Sequence, residues 1–182
     1  MPDQDKRDRL VASGKVGGKP GNSILPNLNV CGDIGLKIAR DGTWYYQGGP
    51  IGRKPLVKLF ASVLRREDDG FYLVTPVEKV PIAVEGEPFV AVEMSCEGKG
   101  KDQRLTFRTN VDDVVTAGAG HRIGFRAEPG GGHAPFVVVR DGLQAQLARP
   151  VYYELTALAV ETDAGTGVWS GGSFFPFPMD EG

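Results

Sequence analysis

With 182 residues, 41% hydrophobic and 24% charged side chains, the chain has room for one ordinary domain or two small ones and the make-up of a globular protein. Its formal charge of -2 divides into 13 basic and 11 acidic side chains over residues 1–91, and 8 and 12 over residues 92–182, so no dense basic footprint marks a duplex nucleic acid partner. Only two cysteines, no membrane-length apolar run and no apolar stretch behind the charged Met1–Arg9 argue against a disulfide scaffold, a membrane protein and a secreted one, and for a cytoplasmic location.

In chain order, residues 1–29 read as a flexible N-terminal segment, in which Gly14, Gly17, Gly18, Pro20, Gly21 and Pro26 leave room for at most a short helix over Asp5 to Ala12. Cys31 to Ala39 alternates weakly. Arg40-Asp41-Gly42 then marks a turn into Trp44, Tyr45 and Tyr46, which together predict a hairpin. A helix is predicted over Lys54 to Asp68: Leu56, Phe60, Val63 and Leu64 share a face, Val57 and Leu59 widen it, Pro55 fits the first turn and Gly70 a C-terminal cap. Arg65 and Arg66 would then complement the dipole in its last turn.

From Phe71 the period becomes two. Strands are predicted over Phe71 to Thr75, around Val80, Ile82 and Val84, and over Pro88 to Cys96, with Pro81 implying an edge strand or a bulge. After a loop at Glu97 to Asp102, further strands are expected at Arg104 to Val111, Arg122 to Ala127, Phe136 to Arg140 and Val151 to Val160. Alternation places Leu105, Phe107 and Val111 on one face and Arg104, Thr106, Arg108 and Asn110 on the other. If that strand paired with the one carrying Arg122 and Arg126, four arginines would share an anion-binding surface.

Familiar chemical signatures are missing. Gly118-Ala119-Gly120 misses the dinucleotide fingerprint by one position, Gly98-Lys99-Gly100-Lys101 lacks phosphate-loop spacing, and Val168 stands where a nucleophile elbow around Ser170 needs glycine. No metal cluster and no catalytic set can be assigned, and the sequence leaves the cofactor unknown. His121 and His133 lack a neighbouring acid to orient them as bases. Thr75-Pro76-Val77-Glu78 has capping-box spacing, although Pro81 limits any helix to about one turn.

A pattern recurs at an offset of 100 residues: Arg40, Asp41, Gly42, Pro50 and Ile51 are answered by Arg140, Asp141, Gly142, Pro150 and Val151. The fold expected is therefore α+β in two duplicated halves, an N-terminal α+β half over residues 30–86 and a β-rich half over 87–182, mainly antiparallel sheet with one clear helix. A seam flanked by Arg40, Arg140 and Arg149 and walled by Trp44, Tyr46, Tyr153 and Trp169 would combine stacking with anion recognition.

Gly32-Asp33-Ile34, Asp41-Gly42-Thr43-Trp44, Pro50-Ile51-Gly52-Arg53, Leu64-Arg65-Arg66-Glu67 and the run Leu73 to Val80 resemble the bacterial domain-of-unknown-function family 1285. Phe107-Arg108-Thr109-Asn110, His121, Phe125, Phe136, Val139 to Leu143 and Arg149 to Leu155 extend the likeness over about residues 30–176. The resemblance implies a tandem α+β arrangement with a second half loosely like pleckstrin-homology folds, a nucleotide-type ligand site between the halves and a signalling role. No capping helix is visible in the glycine- and proline-rich stretch Gly165 to Pro178, so the pleckstrin-homology likeness is topological only.

The leading expectation is a sensory or ligand-binding protein holding a small anionic, nucleotide-like ligand at the seam. Arg65, Arg140 and Arg149 would supply charge, Trp44 and Tyr153 stacking, and Thr75, Glu78, Lys79, Asn110 and His121 directional polar contacts. A hydrolase with Glu78 or His121 as general base is the second reading. The third is a module that docks a protein partner through the aromatic segment Trp169 to Phe177.

Overall fold

The computed structural model describes residues 29–30 and 32–178. The helix predicted over Asp5 to Ala12, the rest of segment 1–28 and Cys31 lie outside the described residues.

The N-terminal half runs β1 (Asn29–Val30), β2 (Leu36–Ile38), β3 (Trp44–Tyr46), β4 (Gly49–Pro50), α1 (Lys54–Val63), β5 (Leu64–Glu67), β6 (Gly70–Val74) and β7 (Glu78–Val84). The C-terminal half continues with β8 (Phe89–Glu97), a 3₁₀ turn at Gly100–Asp102, β9 (Arg104–Thr109), β10 (Val114–Thr116), β11 (Ile123–Ala127), β12 (His133–Arg140) and β13 (Leu143–Leu147). It ends in α2 (Arg149–Thr156), β14 (Val160–Thr162), β15 (Gly165–Ser170) and β16 (Ser173–Pro176). The described residues are thus mostly β with two α-helices, where the sequence suggests one clear helix.

Strands of the first half lie in the order β4-β3-β2-β7-β6-β5, with β1 added along β7, and those of the second in the order β10-β9-β8-β13-β12-β11; β14, β15 and β16 form a separate antiparallel sheet. Both large sheets are mixed, because β1 and β2 run parallel to β7, and β13 runs parallel to β8. Pro81 sits on a central strand after all. On the side of β7 away from β6, β1 pairs with Glu78 and Lys79 and β2 with Ala83 and Val84, so the missing proline N–H falls in the gap between them.

Two helix expectations need correction. α1 stops at Val63, since Leu64 is extended (φ -68°, ψ 135°) and Leu64–Glu67 pairs with Gly70–Leu73. Asp68-Asp69-Gly70 is therefore a hairpin turn and not a helix cap, and Arg65 and Arg66 lie on a strand. Conversely, Arg149–Thr156 is helical although Val151, Tyr152 and Tyr153 favour strands. Val151 and Leu155, one turn apart, are both buried in the core, and this tertiary burial overrides the local preference of a helix too short to be stable alone.

In each half a hairpin around Arg-Asp-Gly feeds a helix with proline in its first turn, α1 or α2, and each helix leads into three successive antiparallel strands. One core spans both halves: Leu36, Ile38, Trp44, Ala61 and Leu64 from the first join Phe89, Leu105, Phe107, Val137 and Leu143 from the second.

Candidate ligand-binding site

Polar contacts at the join between the halves account for most of the residues expected to bind an anion. Asn110 accepts from the Val90 N–H at 3.0 Å and donates Nδ2 to the Gly42 carbonyl at 3.1 Å, fastening the β9–β10 turn to the β2–β3 hairpin. Arg140 does lie at the seam, but its guanidinium is occupied: it pairs with Asp113, donates Nη2 to the Ala61 carbonyl at 2.6 Å and stacks over Phe89 at 5.3 Å. Lys54 and Lys58 of α1 both reach Asp112, whose carboxyl is held down at about 2, first by the Lys58 and Lys54 hydrogen bonds.

The remaining opening at the seam is lined by Arg66, Phe71, Gly70 and Gly142 together with four carboxylates, Glu67, Asp68, Asp69 and Asp141. One arginine among four acids repels an anion. Those carboxylates form no group able to hold a metal ion among the described residues.

Other predicted residues are scattered. Arg65 donates Nη1 to the carbonyls of Ser62 (3.4 Å) and Leu64 (2.8 Å), so it satisfies the exit of α1 from the strand that follows and not from the last helical turn. Lys79 is bound to Glu67 and stacks over Tyr72 at 4.0 Å. Arg149 and Tyr153 lie four residues apart on the exposed face of α2, opposite Val151 and Leu155. The His121 Nδ1 meets the Val138 carbonyl at 3.1 Å, and among the described residues no acid orients its ring. The four-arginine surface does not form, because β9 and β11 are at different positions in the sheet, with β8, β13 and β12 between them. Arg108 pairs with Glu93 and Asp112, and Arg126 with the buried Glu87.

Ser170 also has a structural part. It is fully buried, accepts from the Leu105 N–H at 2.9 Å and donates to the Ala117 carbonyl at 2.8 Å, tying β15 to the central sheet. The aromatic segment Trp169 to Phe177 is built into the fold: Phe175 is buried and Phe177 packs edge-on to Phe125 at 5.4 Å.

The cavity with the character of a binding site lies within the N-terminal half. A pocket of about 440 Å³ opens between α1 and the sheet, lined by Ile34, Leu36, Tyr46, Ile51, Leu56, Phe60, Val63, Leu73, Thr75, Glu78 and Val80. Leu36 and Tyr46 are cross-strand partners, as are Leu73 and Val80, so two adjacent strand pairs supply its floor, and α1 supplies Leu56, Phe60 and Val63. Trp44, expected as a stacking wall, is 1% exposed and stacks on Phe60 at 6.1 Å; it supports the lining from behind, and its buried Nε1 has no hydrogen-bond partner among the described residues.

Polar groups are confined to the rim. Thr75 and Glu78 close the β6–β7 turn: the Thr75 N–H donates to the Glu78 carbonyl at 2.9 Å and the Glu78 N–H to Thr75 Oγ1 at 3.1 Å. The capping-box spacing thus serves a hairpin and not a helix. The Glu78 carboxylate takes no part in that turn and makes no ion pair among the described residues, and the Tyr46 hydroxyl is bonded to Gln47 Nε2 at 3.2 Å. Ile34, Tyr46 and Val77 are among the exposed large apolar side chains; the first two line the pocket and Val77 adjoins Glu78. Of the ten residues selected from sequence, the pocket gathers only Thr75 and Glu78.

Family models match both halves: the N-terminal domain of DUF1285, a domain of unknown function, over residues 26–87, and the C-terminal domain of that protein of unknown function over 88–177. The chain belongs to the DUF1285 family. A DUF1285 protein of Silicibacter pomeroyi DSS-3, known from a crystal structure, is 51% identical over 85% of each chain, with a TM-score of 0.81. A second, from Shewanella baltica OS155, is 27% identical over 66% of this chain and 88% of that one, with a TM-score of 0.53. No curated protein matches. The seam and the pocket therefore belong to a two-domain DUF1285 architecture. No helix among the described residues is long and apolar enough to cross a membrane.

Proposed function

We propose that this DUF1285 protein is a small-molecule-binding protein whose ligand is mainly apolar and occupies the pocket between α1 and the N-terminal sheet. The observation that carries the reading is the pocket itself: about 440 Å³, open to solvent and walled by nine apolar or aromatic side chains out of eleven. Small-molecule sites of roughly 300–1,000 Å³ have this character, an apolar body with a few polar groups at one side. A nucleotide-like anion at the seam gains less support, since Arg140 is engaged by Asp113 and Ala61 and the remaining opening is acidic. A sensory role would follow if ligand occupancy altered the packing of α1, which also carries the Lys54, Lys58 and Ala61 contacts to the second half.

The test is a homologous series of linear alcohols, from butanol to decanol, followed by calorimetry and thermal shift. Each methylene buried contributes about 0.8 kcal/mol, so affinity rises roughly fourfold per carbon until the pocket is full, then levels off. Val80→Phe, which fills the floor, should abolish the response while leaving the unliganded protein folded. Affinity that climbs without a plateau, or survives Val80→Phe, would show non-specific partitioning and end the proposal.

A further inference from the structure

The lining of the pocket has three polar side chains, Tyr46, Thr75 and Glu78, and they are unequal. Thr75 Oγ1 is engaged with the backbone of Glu78, and the Tyr46 hydroxyl with Gln47. The nearest lysine in sequence, Lys79, points its ammonium to Glu67 and Tyr72. Among the described residues the Glu78 carboxylate is left as the one charged group of the lining, without a cation. A carboxylate accepts hydrogen bonds and donates none, so it selects for a donor, and most strongly for a charged one.

We infer that the ligand of this pocket is an amphipathic amine, its apolar body between α1 and the sheet and its ammonium group held at the rim by Glu78. The inference rests on the pocket reading above and adds the sign of the ligand's charge. It reverses the anionic ligand expected from the arginine content, because Arg65, Arg140 and Arg149 all lie outside the lining, whose one charged side chain is Glu78. The rim position suits an ammonium group, which keeps part of its hydration while the hydrocarbon is buried. Because Glu78 is exposed, its contribution is that of a partly solvated ion pair and not of a buried one.

Octylamine, octanol and octanoate share a tail and differ only in head group, so calorimetry with the three at neutral pH separates tail from charge. In the wild-type protein the amine should bind about three- to tenfold tighter than the alcohol and the carboxylate weakest, with the spread narrowing as salt is raised. Glu78→Gln removes the charge while keeping the turn, whose hydrogen bonds use the Glu78 backbone. It should bring the amine to the affinity of the alcohol and leave the alcohol unchanged. Three equal affinities, a carboxylate preference, or an amine preference that persists in Glu78→Gln would overturn the amine assignment and keep the pocket. Failure of all three to bind would overturn the pocket reading and this one with it.

Discussion

At Arg40–Gly42 and at Arg140–Gly142 the chain writes the same three residues and folds them differently. In the first, the Ala39 N–H meets the Thr43 carbonyl at 2.9 Å, leaving a three-residue loop in which only Gly42 has positive φ, 83°. In the second, Arg140 pairs directly with Leu143, leaving a two-residue loop with Asp141 at φ 44° and Gly142 at 76°, the signs a tight type I′ hairpin requires. The flanking register, not the tripeptide, chooses the turn. What the two share is their use. The Gly42 carbonyl accepts from Asn110 of the second half, and the Gly142 carbonyl accepts from Arg66 of the first at 3.3 Å, so each turn fastens its own half to the other.

The sharpest way to break that likeness is to add a methyl group to each glycine. A Cβ on Gly42 would lie 2.6 Å from Asn110 Nδ2 and 2.9 Å from Val90 Cγ2, whereas on Gly142 its nearest neighbour is Arg66 Cδ at 3.7 Å. Gly42→Ala therefore combines backbone strain with a clash against the inter-half bond and should cost roughly 2–5 kcal/mol. Gly142→Ala carries the strain alone, about 1–2 kcal/mol. Chemical denaturation decides this; equal losses would mean that the Asn110 bond does not constrain the first turn.

The arginines preceding the glycines should separate the turns further. Arg140 is partly buried and holds Asp113 and the Ala61 carbonyl, which also accepts from the Leu64 N–H, so Arg140→Ala leaves Asp113 without its cation and should cost about 1–3 kcal/mol. Arg40 meets Glu128 at 3.5 Å with 68% of its side chain exposed, and Arg40→Ala should change stability by no more than about 0.5 kcal/mol. A comparable loss in both variants would refute the assignment of Arg140 as a structural seam residue and reopen it as a ligand group.

Which features were legible from sequence follows from the range over which each is determined. Alternation along Arg104 to Val111 announced a strand because Leu105, Phe107 and Thr109 face the core, whereas the strand read over Pro88 to Cys96 buries only Phe89 and Ala91 before its register shifts; Pro55 announced the start of α1 because a missing N–H costs nothing there. The exit of α1 was misplaced because Leu64 continues the helical stripe, while its true place is set by pairing with Leu73. Candidate ligand arginines were over-counted for a similar reason: Arg140 meets Asp113 from another strand pair, and Arg126 meets Glu87 across 39 positions. The pocket was hidden more thoroughly. Its lining stretches from Ile34 to Val80, and each apolar residue in it reads individually as core; the one residue-level hint was the exposed Glu78 beside Val77.

The smallest effect expected concerns the ionic part of the seam. Asp112 receives Lys58 and Lys54 from α1 as well as Arg108, and its folded carboxyl sits at about 2 against an ordinary value near 4. A carboxyl depressed in the folded state stabilises fully above its unfolded value and loses that contribution as pH falls toward the folded one. The seam should therefore weaken between about pH 4 and pH 2. Asp112→Asn keeps a residue that tolerates the φ of 65° found there while removing the charge, so the variant isolates the ion pairs from the turn. Wild type should melt above Asp112→Asn at pH 6 by a margin that shrinks with added salt and closes near pH 2. A margin that stays constant across that window would mean the lysines contribute packing along α1, and not charge, to the joining of the two halves.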